Sequence, residues 1–371
     1  MMRTLRNIVT LMFKEFRSLF TDPVLLVLIA FMFTGSIISS AQISTDVKNA
    51  TVGIIDQDRS TLSLRIRDAI LPPYFKAPVE IKREDADELM DKNSLIFVLE
   101  IPPNFERDVQ AGRRPSVQLL TDATMMTQAG LGSAYLTQII NREIREFVDM
   151  PSMLVVSPVM NIQFNPNGDS VWFLPIMQEG NNAALLILIL VGAAVIRERE
   201  RGTIEHMLVM PVNSFELMMS KILANSLVIM VAELLSVWLI VHHALGVPIN
   251  GSIVLYAAGL WLFLFCVAAL GVMLATVAPS MAQFGLLIIP IHMVTLLFSG
   301  STSSRSNMPE AAQRISEYWP QTQFANFSQN VVFRGAGLDI VWPQMLALTL
   351  LGLAFLGYAL LRFRKMLGQQ G

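Results

Sequence analysis

Cysteine is almost absent from this 371-residue chain: Cys266 is the only one. A single thiol excludes an intramolecular disulfide and any zinc site built on paired cysteines. Cys266 lies inside an apolar run, where it reads as a small packing residue. Charge is scarce too. Asp, Glu, Lys and Arg make up 15% of the residues, against roughly 25% in soluble domains. The formal net charge is −2, so no basic surface speaks for a nucleic-acid partner. There is no G-x-x-x-x-G-K-[ST] phosphate loop, which excludes that way of binding ATP, and no H-E-x-x-H zinc motif. The four histidines are scattered, and His242-His243 are adjacent instead of helix-spaced, so no metal site is expected. No nucleophile and base stand at workable spacing, so no catalytic residue is assigned and the chain reads as a non-enzyme.

What is abundant is apolar sequence, 53% of the chain. It is gathered into six long runs: 24–41, 172–196, 219–241, 253–277, 283–299 and 344–361. Each covers about 20 residues or close to it, the length an α-helix needs to cross a ~30 Å hydrocarbon core. In lipid the backbone must satisfy its own hydrogen bonds, so runs of this length are helices. The expected fold is an all-α transmembrane bundle of six spans.

Lys and Arg orient it. Arg3, Arg6, Lys14 and Arg17 precede the first run, Arg197, Arg199, Arg201 and Lys221 lie between the second and third, and Arg362, Arg364 and Lys365 follow the last. Positive charge stays inside, so both termini, the 197–218 segment and the 362–371 tail are expected in the cytoplasm. Segments 42–171 and 300–343 then lie outside. The thirteen Lys and Arg of the first long loop do not oppose this, because large loops translocate regardless of charge. A competing reading makes the first run a signal peptide cut near Ala41; the charged stretch before it, with Glu15 and Asp22, is the wrong flank.

Residues 1–23 carry Leu5, Ile8, Val9, Met12, Phe13, Phe16, Leu19 and Phe20 at helical spacing, with basic residues mainly opposite. That pattern predicts a helix lying in the membrane interface, ended by Asp22-Pro23. The alternative is a soluble helix packed on another subunit. The 42–171 segment is long enough for a domain. Its apolar stretches predict strands at 51–56, 95–100 and 116–120 and helices at 60–70, 83–91 and 125–148, a small α/β domain. Asp56 and Asp58 end the first strand, where they turn the chain and cap the next helix more readily than they bind metal.

The spans are not uniformly apolar. The unbroken part of the second is too short to cross, so its helix must include Gln178, Glu179, Asn181 and Asn182. Glu233 lies beyond the middle of the third span, His292 beside Pro290 in the fifth, and Thr34, Ser36, Ser39 and Ser40 in the first. Ionisable groups at such depth face a protein interior or a water-filled cavity. An outward-opening polar cavity lined by Gln178, Glu179, Asn181, Asn182, Glu233 and His292 is the expectation. The alternative seats Glu179 and the two asparagines at the interface, capped by the outside domain.

The segment after the second span reads V-I-R-E-R-E-R-G-T-I-E-H-M-L-V-M-P from Val195 to Pro211. Here the chain resembles the permease subunits of ABC-2 type ATP-binding-cassette exporters. Further pieces match: V-G-I-I-D-x-D-x-S from Val52, I-P-P-N-F from Ile101, and the closing L-R-F-R-K from Leu361. The resemblance runs over the whole chain and points to drug-exporter-like permeases of the bacterial inner membrane.

It implies a subunit without catalysis or cofactor of its own, with ATP and Mg held by separate ATPase subunits. It implies pairing with a second permease copy, identical or related, and export of a hydrophobic or amphiphilic molecule. The stretch after span two would dock on the ATPase, through Glu198, Arg199, Glu200, Gly202, Thr203 and Glu205, and the N-terminal helix would be a second contact. The 300–343 segment would hold short helices near 309–319 and 323–333. The large outside domain argues against a polysaccharide channel and for a periplasmic adaptor or capture of substrate at the outer leaflet. Two other classes stay open, a sensor with an extracytoplasmic ligand domain and an intramembrane enzyme using Glu179 or His292. The first lacks a cytoplasmic output domain and the second a base-activated nucleophile.

Overall fold

Apolar surroundings leave helix as the favoured conformation for the six long runs, and all six are helical in the computed structural model of the protein. The structure describes residues 2–42, 47, 49–92, 94–122, 126–148, 170–200, 213–301, 305 and 308–368. In chain order the elements are α1 (Met2–Phe20), α2 (Pro23–Met32), α3 (Gly35–Gln42), β1 (Val52–Asp56), α4 (Thr61–Ala69), β2 (Val79–Glu80), α5 (Arg83–Asp91), β3 (Phe97–Ile101), α6 (Phe105–Gln110), β4 (Gln118–Thr121) and α7 (Met126–Phe147). Then come α8 (Ser170–Glu200), α9 (Ser214–Ser236), a π-helical continuation of α9 (Val237–Ala244), α10 (Ile253–Val277), α11 (Met281–Phe298), α12 (Glu310–Glu317), α13 (Pro320–Val332) and α14 (Leu338–Gly368). They form two compact units, one of Met1–Ile43 with Gln163–Gly371 and one of Ser44–Ile162.

The first unit is helical. Six segments are long and apolar enough to cross a membrane: Pro23–Gln42, Trp172–Glu200, Ser214–Ala244, Ile253–Val277, Met281–Phe298 and Leu338–Phe363. They coincide with the six runs of the sequence, but several ends differ. α8 continues through Arg197–Glu200. α9 begins at Ser214, ahead of the expected 219, because the Glu216 carboxylate accepts the Asn213 N–H at 3.1 Å and caps the helix there. α14 begins before Pro343, which the sequence reading took as a boundary. The 197–218 coupling segment is thus helical at both ends; its centre, residues 201–212, lies outside the described residues.

α1 has the expected two-faced character. Ile8 and Leu19 are buried, while Leu5, Phe13 and Phe20 are each more than half exposed. The Asp22 carboxylate caps α2 by accepting from Val24 N and Leu25 N, with Pro23 in the first turn. The first span is broken at Phe33-Thr34 into α2 and α3. α8 is the buried centre of the unit, and α13 packs beside it with Phe324 and Phe327 enclosed. Phe324 stacks on Phe263 of α10 at 4.2 Å between centroids. Gly259 of α10 admits Phe327: a Cβ there would lie 2.1 Å from the Phe327 Cζ. Cys266 is buried, as a packing residue should be.

The second unit carries a four-stranded sheet in the order β2-β1-β3-β4. β1 pairs parallel with β2 and β3, and β3 pairs antiparallel with β4. Strand alternation sends Ile54 and Leu99 to a core shared with Leu62, Ile66, Phe105 and Leu136, and Ile55 and Val98 to a second core under Ala86. Helices cover both faces, so this is the α/β unit the sequence predicts. β2 and α6 were not expected. β2 is two exposed residues, and α6 is a short helix following Pro102-Pro103.

Asp56 and Asp58 act as turn and cap residues. Asp56 accepts from Asp58 N, Arg59 N and the Ser63 hydroxyl. Asp58 accepts from Phe105 N and Glu106 N, capping α6 from a distant loop. The residue just before α6, Asn104, has a left-handed backbone and makes no side-chain cap, so Asp58 supplies what the local sequence does not.

Candidate functional site

Six helices of the first unit meet around polar side chains that the surrounding apolar sequence makes conspicuous. On α8, Glu179, Asn181 and Asn182 are each at most 4% exposed; on α9, Glu233 is fully enclosed. Asn182 Nδ2 donates to the Met32 carbonyl at 2.6 Å and to Ser36 Oγ at 3.2 Å, and its Oδ1 accepts from Gln178 at 2.8 Å. Ser236 Oγ lies 2.5 Å from Glu179 Oε1 and also contacts the Phe33 carbonyl oxygen. The break in the first span is therefore held by side chains from α8 and α9, which serve carbonyls that a continuous helix would satisfy itself.

On the other side of this seam the Tyr256 hydroxyl of α10 donates to Glu233 Oε1 at 2.8 Å, and Gln321 of α13 donates to Asn181 Oδ1 at 2.8 Å. Gln178, Glu179, Asn181, Asn182 and Glu233, singled out in the sequence, are thus gathered into one neighbourhood. His292 is not: it is half-buried on α11 and makes no hydrogen bond to the group. The expected outward-opening cavity is also corrected. Glu179 and Glu233 are sealed in this conformation, because hydroxyls and amides of neighbouring helices occupy the space that water was expected to fill. The sequence reading missed Ser236, Tyr256 and Gln321. Ser236 had a signal, lying one turn from Glu233 on the same helix face; Tyr256 and Gln321 had none.

A second polar cluster sits where α8 ends. Lys221 of α9 is buried, with Nζ 2.7 Å from Glu15 and 3.0 Å from Glu198; Lys14 lies 3.3 Å from Glu198. Asn7 of α1 donates to Glu216 at 3.1 Å. The Arg199 guanidinium donates to the Ala275 carbonyl at 3.3 Å and to that of Ala278, covering the last turn of α10 where carbonyls lack helical partners. Glu200 accepts the Met281 N–H at 2.9 Å and caps α11. Of the expected ATPase-docking residues, Glu198, Arg199 and Glu200 therefore have partners inside the chain. Gly202, Thr203 and Glu205 lie outside the described residues. A cavity of about 570 Å³ opens beside this cluster, lined by Lys14, Ser18, Asp22, Arg197, Glu198 and Lys221 among others. Among the described residues, no group of three or more His, Cys, Asp and Glu side chains is placed to hold a metal ion.

Comparison with known proteins fits this architecture. The family model described as ABC-2 family transporter protein matches residues 18–361. The inner membrane transport permease YhhJ of Escherichia coli (strain K12) is 45% identical over 371 residues, 99% of each chain. Two proteins named probable multidrug ABC transporter permeases in the same organism are more distant. YbhR is 24% identical, covering 91% of this chain and 92% of its own, and YbhS is 24% identical, covering 98% of each. With six apolar spans, the chain is a multi-pass protein of the inner membrane. From its first span to its last, it belongs to the ABC-2 transporter family.

Proposed function

We propose that the chain is the permease subunit of an ABC-2 exporter, moving hydrophobic or amphiphilic small molecules and driven by separate ATPase subunits that hold ATP and Mg. The observation that carries this reading is a polar seam enclosed among helices of a family permease, since ionisable residues inside a membrane mark substrate and ion pathways. Gln178, Glu179, Asn181, Asn182 and Glu233 line the path when the seam opens, and His292 stands at its flank. The names of YbhR and YbhS favour drug-like cargo.

In this reading the Lys and Arg distribution puts both termini and residues 201–212 in the cytoplasm. The Ser44–Ile162 unit then lies outside, between the first and second spans, available to a periplasmic adaptor. A second permease copy, identical or related, completes the pathway within the lipid. Residues 201–212, with Gly202, Thr203 and Glu205, dock on the ATPase. Glu198, Arg199 and Glu200 pass the movement on, because they tie the end of α8 to α1, α9, α10 and α11. Catalysis belongs to the partner. A sensor without transport is less favoured, since the family consists of transporters.

The test is co-purification in mild detergent of tagged wild type and a Thr203→Ala/Glu205→Ala variant. The expected result is an ATPase subunit bound to the wild type and lost from the variant. An ATPase bound equally to both would move the docking face elsewhere. Absence of any ATPase from both would overturn the permease reading.

A further inference from the structure

Ser236 presents a proton-counting problem that Glu179 solves. Its Oγ is in hydrogen-bond contact with two groups, Glu179 Oε1 and the Phe33 carbonyl oxygen. A hydroxyl has one proton, and a carbonyl and an ionised carboxylate are both pure acceptors. With Glu179 ionised, one contact sets lone pair against lone pair. Both become hydrogen bonds when Ser236 donates to Phe33 and Glu179 donates to Ser236, which needs a proton on Glu179.

The surroundings agree. Glu179 and Glu233 are both 0% exposed, and Oε2 of each has no hydrogen-bond partner. Among the described residues of the helices that form the seam, basic groups are remote. On α8 the first is Arg197, about 27 Å along the helix; on α9 it is Lys221, about 18 Å away and engaged with Glu15 and Glu198. The π-helical continuation brings His242 no nearer than about 10 Å along its axis. α2, α3, α10 and α13 contain no Lys, Arg or His, and the charges of α14 are Asp339 near its start and Arg362, Arg364 and Lys365 near its end. His292 of α11 bonds to neither acid. Tyr256 and Gln321 are neutral. Two ionised carboxylates enclosed without a counter-charge are unfavourable. Among the described residues, no third acidic, His or Cys ligand joins them to hold a metal ion.

We propose that Glu179 and Glu233 form a proton-exchange site inside the membrane, loaded while the α8–α9–α10 seam is closed and emptied when the seam opens. On release the carboxyl O–H bond breaks, the proton passes to water and the electron pair stays on the carboxylate. The emptied pair is then an anionic partner for a cationic group in the pathway. That last use rests on the permease reading; occupancy by protons does not.

The test is infrared spectroscopy of the full chain in lipid nanodiscs from acid to alkaline pH. At neutral pH the wild type should show the carbonyl band of protonated buried carboxyls. Glu179→Gln and Glu233→Gln should each remove part of it, and the double variant should lose it. Gln keeps the shape and donor capacity of the neutral acid, so the variants should melt no lower than wild type. Tyr256→Phe removes the donor to Glu233 and should shift the remaining band to higher frequency. A protonated-carboxyl band equally absent, or equally strong, in wild type and the double variant at neutral pH would overturn the proposal, since the pair would then carry no proton. The measurement uses neither ATPase nor substrate, so that failure would leave the permease reading standing.

Discussion

Lys221 ties α9 to α1 and to the end of α8. Its ammonium is buried at 2% exposure and touches both Glu15 and Glu198, which are themselves at most 14% exposed. Removing one member of a buried ion cluster costs far more than the intact cluster contributes, because the remaining charges keep their desolvation. Lys221→Met should lower stability by about 3 kcal/mol, the lower end for such a break. Lys14→Ala removes a partner that is 61% exposed and should cost under about 1 kcal/mol. Detergent unfolding curves of both variants check the contrast. Asp58 offers a pH-dependent counterpart. Burial disfavours its charge, but Ser60 and the N–H groups of Glu106, Phe105 and Asn104 outweigh it and hold the carboxyl below its usual value. A carboxyl lowered on folding stabilises the fold above its unfolded value, about 3.9, and loses that effect as pH falls through the lowered one. Asp58→Ala should cost about 1 kcal/mol at neutral pH, the usual worth of a helix cap, and almost nothing in strong acid. Hydrogen-exchange protection of α6, compared at the two pH values, measures it.

At the scale of elements, close helix contacts depend on where glycine stands. Gly259→Ala drives a methyl group against the Phe327 ring and should cost about 1–3 kcal/mol, the range for overpacking. Gly285→Ala meets nothing within 4 Å and should be neutral or better, since alanine favours helix by up to about 1 kcal/mol. Thermal unfolding in detergent separates the two. Spans were legible because hydrophobic length is a one-dimensional property, and α10 was placed to the residue. Their ends were not, because caps such as Glu216 on Asn213 and a proline accommodated inside α14 depend on local geometry. The break in the first span was invisible for another reason. The groups that support it, Asn182 and Ser236, come from other helices. Glu179 and Glu233 stood out as acids in apolar runs, yet their enclosure depends on Tyr256, Ser236 and a packed helix α13 that no periodicity reveals. The link after α8 was read as a docking surface from the family resemblance. Three of its residues, Glu198, Arg199 and Glu200, also have partners on α1, α9, α10 and α11.

For the whole molecule, α8 joins two clusters in the helical unit. Near the end of α8, an ion and capping network connects it to α1, α9, α10 and α11. Along α8, about 30 Å away, the polar seam joins the same helix to α2, α3, α9, α10 and α13. A rigid helix shared by both is a physical means for movement at one to open the other. The most direct test is transport in inside-out membrane vesicles containing the permease and its ATPase, with a panel of fluorescent amphiphilic cations. The expected result is accumulation of at least one dye that needs ATP and both subunits, and that Glu179→Leu/Glu233→Leu abolishes while ATPase binding persists. ATP hydrolysis by the assembled complex, with every dye distributed as in vesicles lacking the permease, would contradict the account.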